Sequence, residues 1–211
     1  MPERAAQSEP LKPKPPAPDG AVPLRELSDE ALLGRLADGD SAGFDELFSR
    51  HSGLLLSFIS RLTAGKYDAE DLLQETFLRM ITHARDFRPG TAIRPWLFTI
   101  ARNVTLNALK KTRLRADLEV QTDLSDWQPP AHPDRGGADP SNRAEMQEQK
   151  ALMLSALQEL PPLHREILIL IVFNSFSYEE AAAITGDPES TLRSRVFHAL
   201  RKLRERLKEP K

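Results

Sequence analysis

The sequence predicts an all-α protein with two small helical domains joined by a flexible linker. Leu, Ala, Arg and Glu are abundant among its 211 residues, and only 10 residues are Gly, a composition that favours helix. Apolar residues recur at helical spacing in two separate parts of the chain, and no stretch alternates as a half-buried strand would. A stretch rich in Pro, Gly and acidic residues separates the two parts.

Four segments follow from this pattern. Residues 1–23 are Pro-rich with little apolar content and are expected to form a disordered tail, either passive or a docking motif. Residues 24–114 form the first predicted domain, residues 115–141 an acidic flexible linker, and residues 142–211 the second domain.

The first domain contains four predicted helices. Ser28 can cap a short helix, and a second, longer helix is expected between Ser41 and Gly65. Asp68 can cap a third, "AEDLLQETFLRMITHA", which should end near Phe87. The fourth, "PWLFTIARNVTLNALKK", should begin near Pro95 because Pro is favoured in the first turn of a helix.

The second domain ends in a predicted helix-turn-helix. One helix should end at Pro161-Pro162 and be followed by the apolar helix "REILILIVF". Ser177 and Glu180 have the spacing of a capping box for "YEEAAAI". The turn "TGDP" then breaks the chain, and the final helix follows Pro188.

Composition excludes several classes of function. The chain has no Cys and hence no disulfide, thiolate metal site or Cys nucleophile. The five His residues lack metal-ligand spacing, and no Gly-rich phosphate loop is present, so we expect no metal, no cofactor and no enzyme activity. No apolar run approaches membrane-spanning length, which favours a soluble cytoplasmic protein. The net charge is −2, yet two basic blocks flank the acidic linker, a pattern typical of two nucleic-acid-binding modules.

The final helix is the first candidate for a DNA-binding element. One stripe is apolar and expected to be buried: Leu192, Val196, Ala199, Leu203 and Leu207. The opposite side carries hydroxyl groups and cations suited to base edges and phosphates: Thr191, Ser194, Arg195, His198 and Lys202. The alternative is a solvated charged face on a packing helix.

The helix after Pro95 is the second candidate. Thr99, Asn103 and Lys110 share one predicted exposed flank, and Arg102 and Arg113 share another. Trp96 and Phe98 lie near its start. Aromatic rings, an amide and cations side by side suit unpaired bases. The alternative is that the two aromatic residues belong to the core.

The third helix is a weaker candidate for a protein interface. Its predicted outer side includes Asp71, Gln74, Glu75 and Leu78. Most of this side is typical of a solvated helix face, and Leu78 among acids indicates a partner groove only weakly.

Both domains together resemble the extracytoplasmic-function (ECF) sigma factors of bacterial RNA polymerase, in the sigma-70 superfamily. The resemblance rests on "DAEDLLQETFLRM…FRPGTAIRPWLFTIARNVTLNALKK" and "LQELPPLHREILIL…FSYEEAAAITGDPESTLRSRVFHALRKL". It implies sigma region 2, which binds core polymerase and opens the minus-10 element, and a helix-turn-helix region 4, which reads the minus-35 element.

The resemblance also implies roles for single residues. The polymerase contact would be Asp71, Gln74, Glu75 and Leu78. The minus-10 contact would be Arg94, Trp96, Arg102, Asn103 and Lys110, with Asn103 reading a flipped base. The minus-35 contact would be Ser190, Thr191, Ser194, Arg195, His198 and Lys202. The linker would thread through the polymerase.

Two departures and two alternative functions belong beside this interpretation. Glu189 and Ser190 stand where relatives commonly carry a small apolar residue and Gly, and the Pro-rich tail lies outside the family pattern. A stand-alone helix-turn-helix regulator would bind duplex DNA without polymerase. A sigma-like decoy would bind polymerase or an anti-sigma factor without starting transcription. An anti-sigma factor is an expected partner in either sigma-like case.

Overall fold

The computed structural model describes residues 22–64, 67–88, 90–118 and 152–208, with side chains omitted at 112–118 and 208. The predicted linker beyond residue 118 and nearly all of the predicted tail lie outside these residues. Every regular element in the described part is helical, which confirms the all-α prediction. The α-helices are α1 (Asp29–Ala37), α2 (Ser41–Thr63), α3 (Ala69–His83), α4 (Ile93–Leu118), α5 (152–158), α6 (Pro162–Leu168), α7 (Tyr178–Thr185) and α8 (Glu189–Lys208).

Helix starts agree with the predicted caps. The Ser28 hydroxyl accepts a hydrogen bond from the Ala31 amide at 3.2 Å, and the Asp68 carboxylate accepts one from the Glu70 amide at 2.9 Å. Ser177 and Glu180 form the predicted capping box, each side chain accepting from the other residue's backbone amide. Caps of this kind satisfy amide groups that have no partner within the helix.

Two helix boundaries differ from the prediction. Helix α4 begins at Ile93 and continues to Leu118, past the predicted domain end at residue 114. The added residues include Arg, Leu and Ala, which are good helix formers, so no local signal stops the helix earlier. The apolar helix after Pro162 is not uniform, because α6 ends at Leu168 and a π-helical turn, Ile169–Phe173, follows.

Helices α1 to α4, here called the N-terminal unit, form a bundle around α2. The predicted inner side of α3, which includes Leu73, Phe77 and Met80, is buried. Phe58 of α2 and Phe98 of α4 are fully buried, with ring centroids 5.1 Å apart. Phe98 is therefore a core residue, as the structural alternative held, and is not available to stack on a base.

Helices α5 to α8 with the π-helical turn form the C-terminal unit. Helix α8 packs against α6 and α7 through Leu192, Val196, Ala199 and Leu203, as predicted. Leu207, predicted in the same stripe, is 55% exposed, so the buried stripe ends at Leu203. Gly186 ends α7 with a φ of +79°, a left-handed conformation that favours glycine.

The two units also pack against each other. Helix α4 lies against α7, and α2 contacts α6 and the π-helical turn. The sequence did not predict this contact, and it determines which surface of α4 is open.

Candidate nucleic-acid and polymerase interfaces

The exposed face of α8 carries most of the predicted duplex-binding side chains. Ser190, Ser194, His198 and Lys202 are exposed, and Thr191 is half-buried. Arg195 is also half-buried, with its guanidinium paired to Asp187 in the preceding turn. The face thus offers hydroxyl groups, the imidazole of His198 and the ammonium group of Lys202 along more than two turns of one helix. Such a face can meet base edges and phosphates in the major groove.

Three further residues of α8 share this face and were not predicted: Arg193, Phe197 and Arg201. Phe197 is 65% exposed, and its ring meets that of His198 edge-on with centroids 5.6 Å apart. Arg193 lies over the Tyr178 ring at 4.2 Å and pairs with Glu189 at 2.8 Å. The helical spacing from Ser190 and Ser194 to Phe197 and Arg201 was a signal available in the sequence.

A cluster of basic groups lies where α6 meets α8. The rings of His164 and His198 are stacked with centroids 6.3 Å apart. Burial lowers the pKa of His164, and the charges of His198, Lys202 and Arg195 lower it further. An anion such as a DNA phosphate would relieve this repulsion, so the cluster extends the electrostatic attraction of the α8 face towards α6.

On α4, the predicted strand-binding residues are divided between open and covered positions. Asn103 and Lys110 are exposed. Trp96 is half-buried and packs edge-on against Phe87, with centroids 5.1 Å apart. This leaves an amide, a cation and one edge of an indole ring on the open side of α4.

Arg94 and Arg102 are instead turned towards the C-terminal unit. Arg94 donates a hydrogen bond to the backbone carbonyl of Asn174 and lies 4.4 Å over the Phe176 ring. Arg102 forms an ion pair with Glu166, whose side chain is only 4% exposed. The structure therefore leaves Asn103 and Lys110 exposed on one side of α4, whereas the two arginines contact residues of the C-terminal unit.

The outer face of α3 mixes acidic and apolar groups. Asp71 and Gln74 are exposed, and Glu75 pairs with Arg79 at 2.7 Å. Leu78 is 59% exposed, as predicted, and Ile81 on the next turn is 43% exposed. Two neighbouring apolar side chains in an acidic surround are suited to a protein partner.

The described residues indicate neither a metal site nor a membrane span. No group of three or more His, Asp or Glu side chains there is arranged to hold a metal ion. No helix in that part of the chain combines the length and apolarity needed to cross a membrane.

Comparison with known proteins gives the family. The sigma-70 region 2 family matches residues 47–115, and the sigma-70 region 4 family matches residues 150–203. RNA polymerase sigma factor CarQ of Myxococcus xanthus is 36% identical over 177 residues, which cover 84% of this chain and 96% of CarQ. ECF RNA polymerase sigma factor EcfG of Rhodopseudomonas palustris is 36% identical over 152 residues, covering 71% of this chain and 76% of EcfG. This chain belongs to the ECF sigma factors.

Two solved structures have the same fold. RpoE of Bartonella quintana, solved in complex with the anti-sigma factor NepR, shares 29% identity, with coverage of 80% and 98% and a TM-score of 0.63. CnrH, solved with the cytosolic domain of CnrY, has a TM-score of 0.60 at 24% identity, over 85% of this chain and 96% of CnrH, and supports the fold alone. As an ECF sigma factor, the chain acts with core RNA polymerase on promoter DNA, and the family is not one of enzymes.

Proposed function

We propose that this ECF sigma factor directs core polymerase to promoters through two separate holds on DNA, one on duplex and one on an unpaired strand. The observation that carries the proposal is that one chain presents two unlike surfaces. The α8 face is a long row of hydroxyl and basic side chains, whereas the open α4 face is short and centres on Asn103, Lys110 and Trp96.

The duplex hold belongs to α8 at the minus-35 element. Ser190, Thr191, Ser194, His198 and Lys202 lie along the helix at positions that can face one groove. Hydrogen bonds to base edges carry sequence information, while contacts to phosphates fix the helix in its register. Arg195 contributes to this hold once its guanidinium leaves Asp187 and pairs with a DNA phosphate.

The strand hold belongs to α4 at the minus-10 element. Asn103 can donate and accept hydrogen bonds to the edge of a flipped base, Lys110 can hold phosphate, and Trp96 can stack. Because the contacts of Asn103 and Trp96 require unpaired bases, their binding free energy favours the melted promoter. Arg94 and Arg102, which lie on other sides of α4, become available to DNA when the two units separate. Opening then requires no ATP and no catalytic residue in this chain.

The polymerase hold belongs to α3. Asp71, Gln74, Glu75 and Leu78 are placed on the outer side of α3, away from the bundle core. The resemblance assigns this helix to a coiled coil of the largest polymerase subunit. Leu78 would supply the apolar contact, and the acidic and amide groups around it would select the partner.

We further place the protein in the cytoplasm and assign it an anti-sigma factor. The cytoplasm is where bacterial RNA polymerase acts, and no described helix is fitted to span a membrane. The solved complex of RpoE with NepR supports the second point, since that relative of 29% identity was captured with such an inhibitor.

A transcription assay with purified core polymerase tests the proposal. A library of genomic fragments that includes the region upstream of the protein's own gene is transcribed with and without the full-length chain, and the 5′ ends are sequenced. We expect new start sites with a shared upstream element. Duplex binding without any transcript would favour the stand-alone regulator, and polymerase binding without a transcript would favour the decoy.

A further inference from the structure

The contact between the two units is made by residues that the proposed strand hold needs. Arg102 of α4 is paired with Glu166 of α6, and the exposed fractions of the two side chains are 15% and 4%. A buried carboxylate beside a guanidinium has the charge and geometry that a phosphate group would offer the same arginine. Glu166 thus offers Arg102 the kind of partner that a DNA phosphate would offer.

Aromatic contacts also join the two units. The Phe98 and Phe176 rings meet edge-on with centroids 4.8 Å apart, which joins the core of α4 to the C-terminal unit. Arg94 lies over Phe176, and Arg61 of α2 lies 4.7 Å over Phe173. Proteins commonly place an arginine over the face of an unpaired base. Here the side chains of Phe176 and Phe173 supply the rings that such bases would otherwise provide.

The same contact leaves polar atoms unsatisfied. The Nε atoms of Arg94 and Arg61 are buried, and no described residue accepts a hydrogen bond from either. A buried donor without an acceptor costs free energy, as does burial of the charged pair itself. These costs weaken the contact, so a competing ligand can open it.

We propose that the C-terminal unit is an intramolecular competitor of the unpaired promoter strand, with Glu166 holding Arg102 in place of a DNA phosphate. The inference rests on the proposed role of α4 in strand binding. In the closed chain Arg94 and Arg102 are withheld from DNA. In the open chain both arginines become available to DNA phosphates, with Arg102 on the flank of α4 next to that of Asn103 and Lys110.

Competition of this kind makes strand binding and separation of the units depend on each other. Any partner that binds the open chain better than the closed chain raises the affinity for single-stranded DNA, and single-stranded DNA raises the affinity for that partner. If about 90% of the free molecules are closed, a change that prevents closure raises the apparent affinity for single-stranded DNA about tenfold.

Distance measurements on the free chain test the closed contact directly. Because the chain has no Cys, the pair Ser49→Cys and Ala183→Cys places one spin label at an exposed position of each unit. We expect one narrow distance peak for the otherwise unchanged chain. Glu166→Gln should broaden it towards longer distances, whereas the control Glu179→Gln, an exposed glutamate of α7, should not.

Binding of a fluorescein-labelled pool of 20-nucleotide single strands of random sequence is measured on the same variants. Glu166→Gln should bind this pool about tenfold more tightly than Glu179→Gln, because fewer of its molecules are closed. Unchanged distances in Glu166→Gln would overturn the proposal. Broadened distances with unchanged affinity would overturn it too, because Glu166 would then not compete with DNA.

Two more variants keep the test informative if Glu166→Gln destabilises the C-terminal unit, which circular dichroism would detect. Arg102→Gln leaves that unit intact and should give the same broad distances. The double variant Arg102→Glu with Glu166→Arg should restore the narrow peak while single-strand affinity stays low, and a peak that stays broad would count against the ion pair. The distance results do not depend on the transcription assay, so failure of the proposed function and failure of this inference are separable.

Discussion

Arg195 of α8 forms an ion pair with Asp187 in the turn before the helix, with Arg195 Nη1 2.5 Å from Asp187 Oδ2. The two side chains are 20% and 31% exposed. The pair fixes the turn against the first half of α8, and it offsets one of the cations on the proposed minus-35 face. An acidic group beside a DNA-binding surface weakens attraction to phosphate, which leaves more of the binding to base contacts.

Removal of this carboxylate should strengthen DNA binding while reducing its selectivity. We expect Asp187→Asn to bind a 24-base-pair duplex of mixed sequence severalfold more tightly at low salt and to steepen the salt dependence, with the log–log slope changing by about 1. Fluorescence anisotropy over a salt series measures both. Asp45→Asn, which removes an exposed carboxylate from α2, is the control and should change neither quantity. An unchanged slope in Asp187→Asn would show that Arg195 makes no phosphate contact.

Asn103 can be tested against a matched residue one turn along α4. Asn103 and Asn107 are both exposed asparagines, but only Asn103 is assigned to a flipped base. Asn103→Ala should slow formation of the open promoter complex about tenfold or more, since a lost base contact costs about 1–3 kcal/mol. Permanganate reactivity of unpaired thymines measures opening, and native gels measure binding to core polymerase.

Asn107→Ala should leave both quantities unchanged. An equal loss of polymerase affinity in Asn103→Ala would contradict the assignment of this residue to DNA. Equal defects in both asparagine variants would instead indicate a general polar requirement on this face of α4.

The polymerase interface on α3 makes a separate prediction. Leu78→Ala should weaken binding to core polymerase about tenfold, because a buried apolar anchor contributes about 1–2 kcal/mol or more to an interface. Folding should be unaffected, since Leu78 is 59% exposed in the free chain. Leu54→Ala removes the same side chain from a 42% exposed position on α2 and serves as the control. Similar losses in both variants would argue against α3 as the specific contact.

Local features of the fold could be predicted from the sequence, whereas contacts between distant residues could not. The caps at Ser28, Asp68 and Ser177 depend on three or four neighbouring residues, and the buried side of α3 follows from helical periodicity. The pairing of Arg102 with Glu166 joins residues 64 positions apart, and no local pattern encodes it. The π-helical turn after Leu168 was missed because a purely apolar run fixes no helical register.

The same difference between local patterns and distant contacts explains why only part of the candidate site was predicted. The exposed positions of Ser194, His198 and Lys202 follow from the apolar stripe opposite them. Phe197 was passed over because an aromatic residue is ordinarily assigned to the core, yet it is one of the most exposed side chains of α8. The roles of Arg94 and Arg102 depend on how two units pack, which is a tertiary property.

His164 should make stability depend on pH. Its pKa is lowered from the ordinary 6.5 by burial and by nearby cations. As pH falls below about 6.5, the unfolded chain binds a proton that the folded chain resists, so the free energy of unfolding decreases. The decrease in melting temperature between pH 7.5 and pH 5.5 should therefore be smaller in His164→Gln. His83→Gln, an exposed histidine of α3, is the control, and an identical pH response in all three proteins would contradict this origin.

Two glycines of α2 should respond to alanine with opposite signs. A Cβ at Gly43 would lie 2.5 Å from the backbone oxygen of Leu32 and 3.3 Å from the amide nitrogen of Leu36, because α1 crosses α2 at this point. Neither atom belongs to a flexible side chain, so the helices must separate, and Gly43→Ala should cost about 1–3 kcal/mol of unfolding free energy. At Gly53 a Cβ would meet nothing within 4 Å, and Gly53→Ala should stabilise the chain by about 0.5–1 kcal/mol through helix propensity alone. Urea unfolding followed by circular dichroism measures both changes. Stabilisation by both substitutions would show that α1 does not pack closely on α2 in solution.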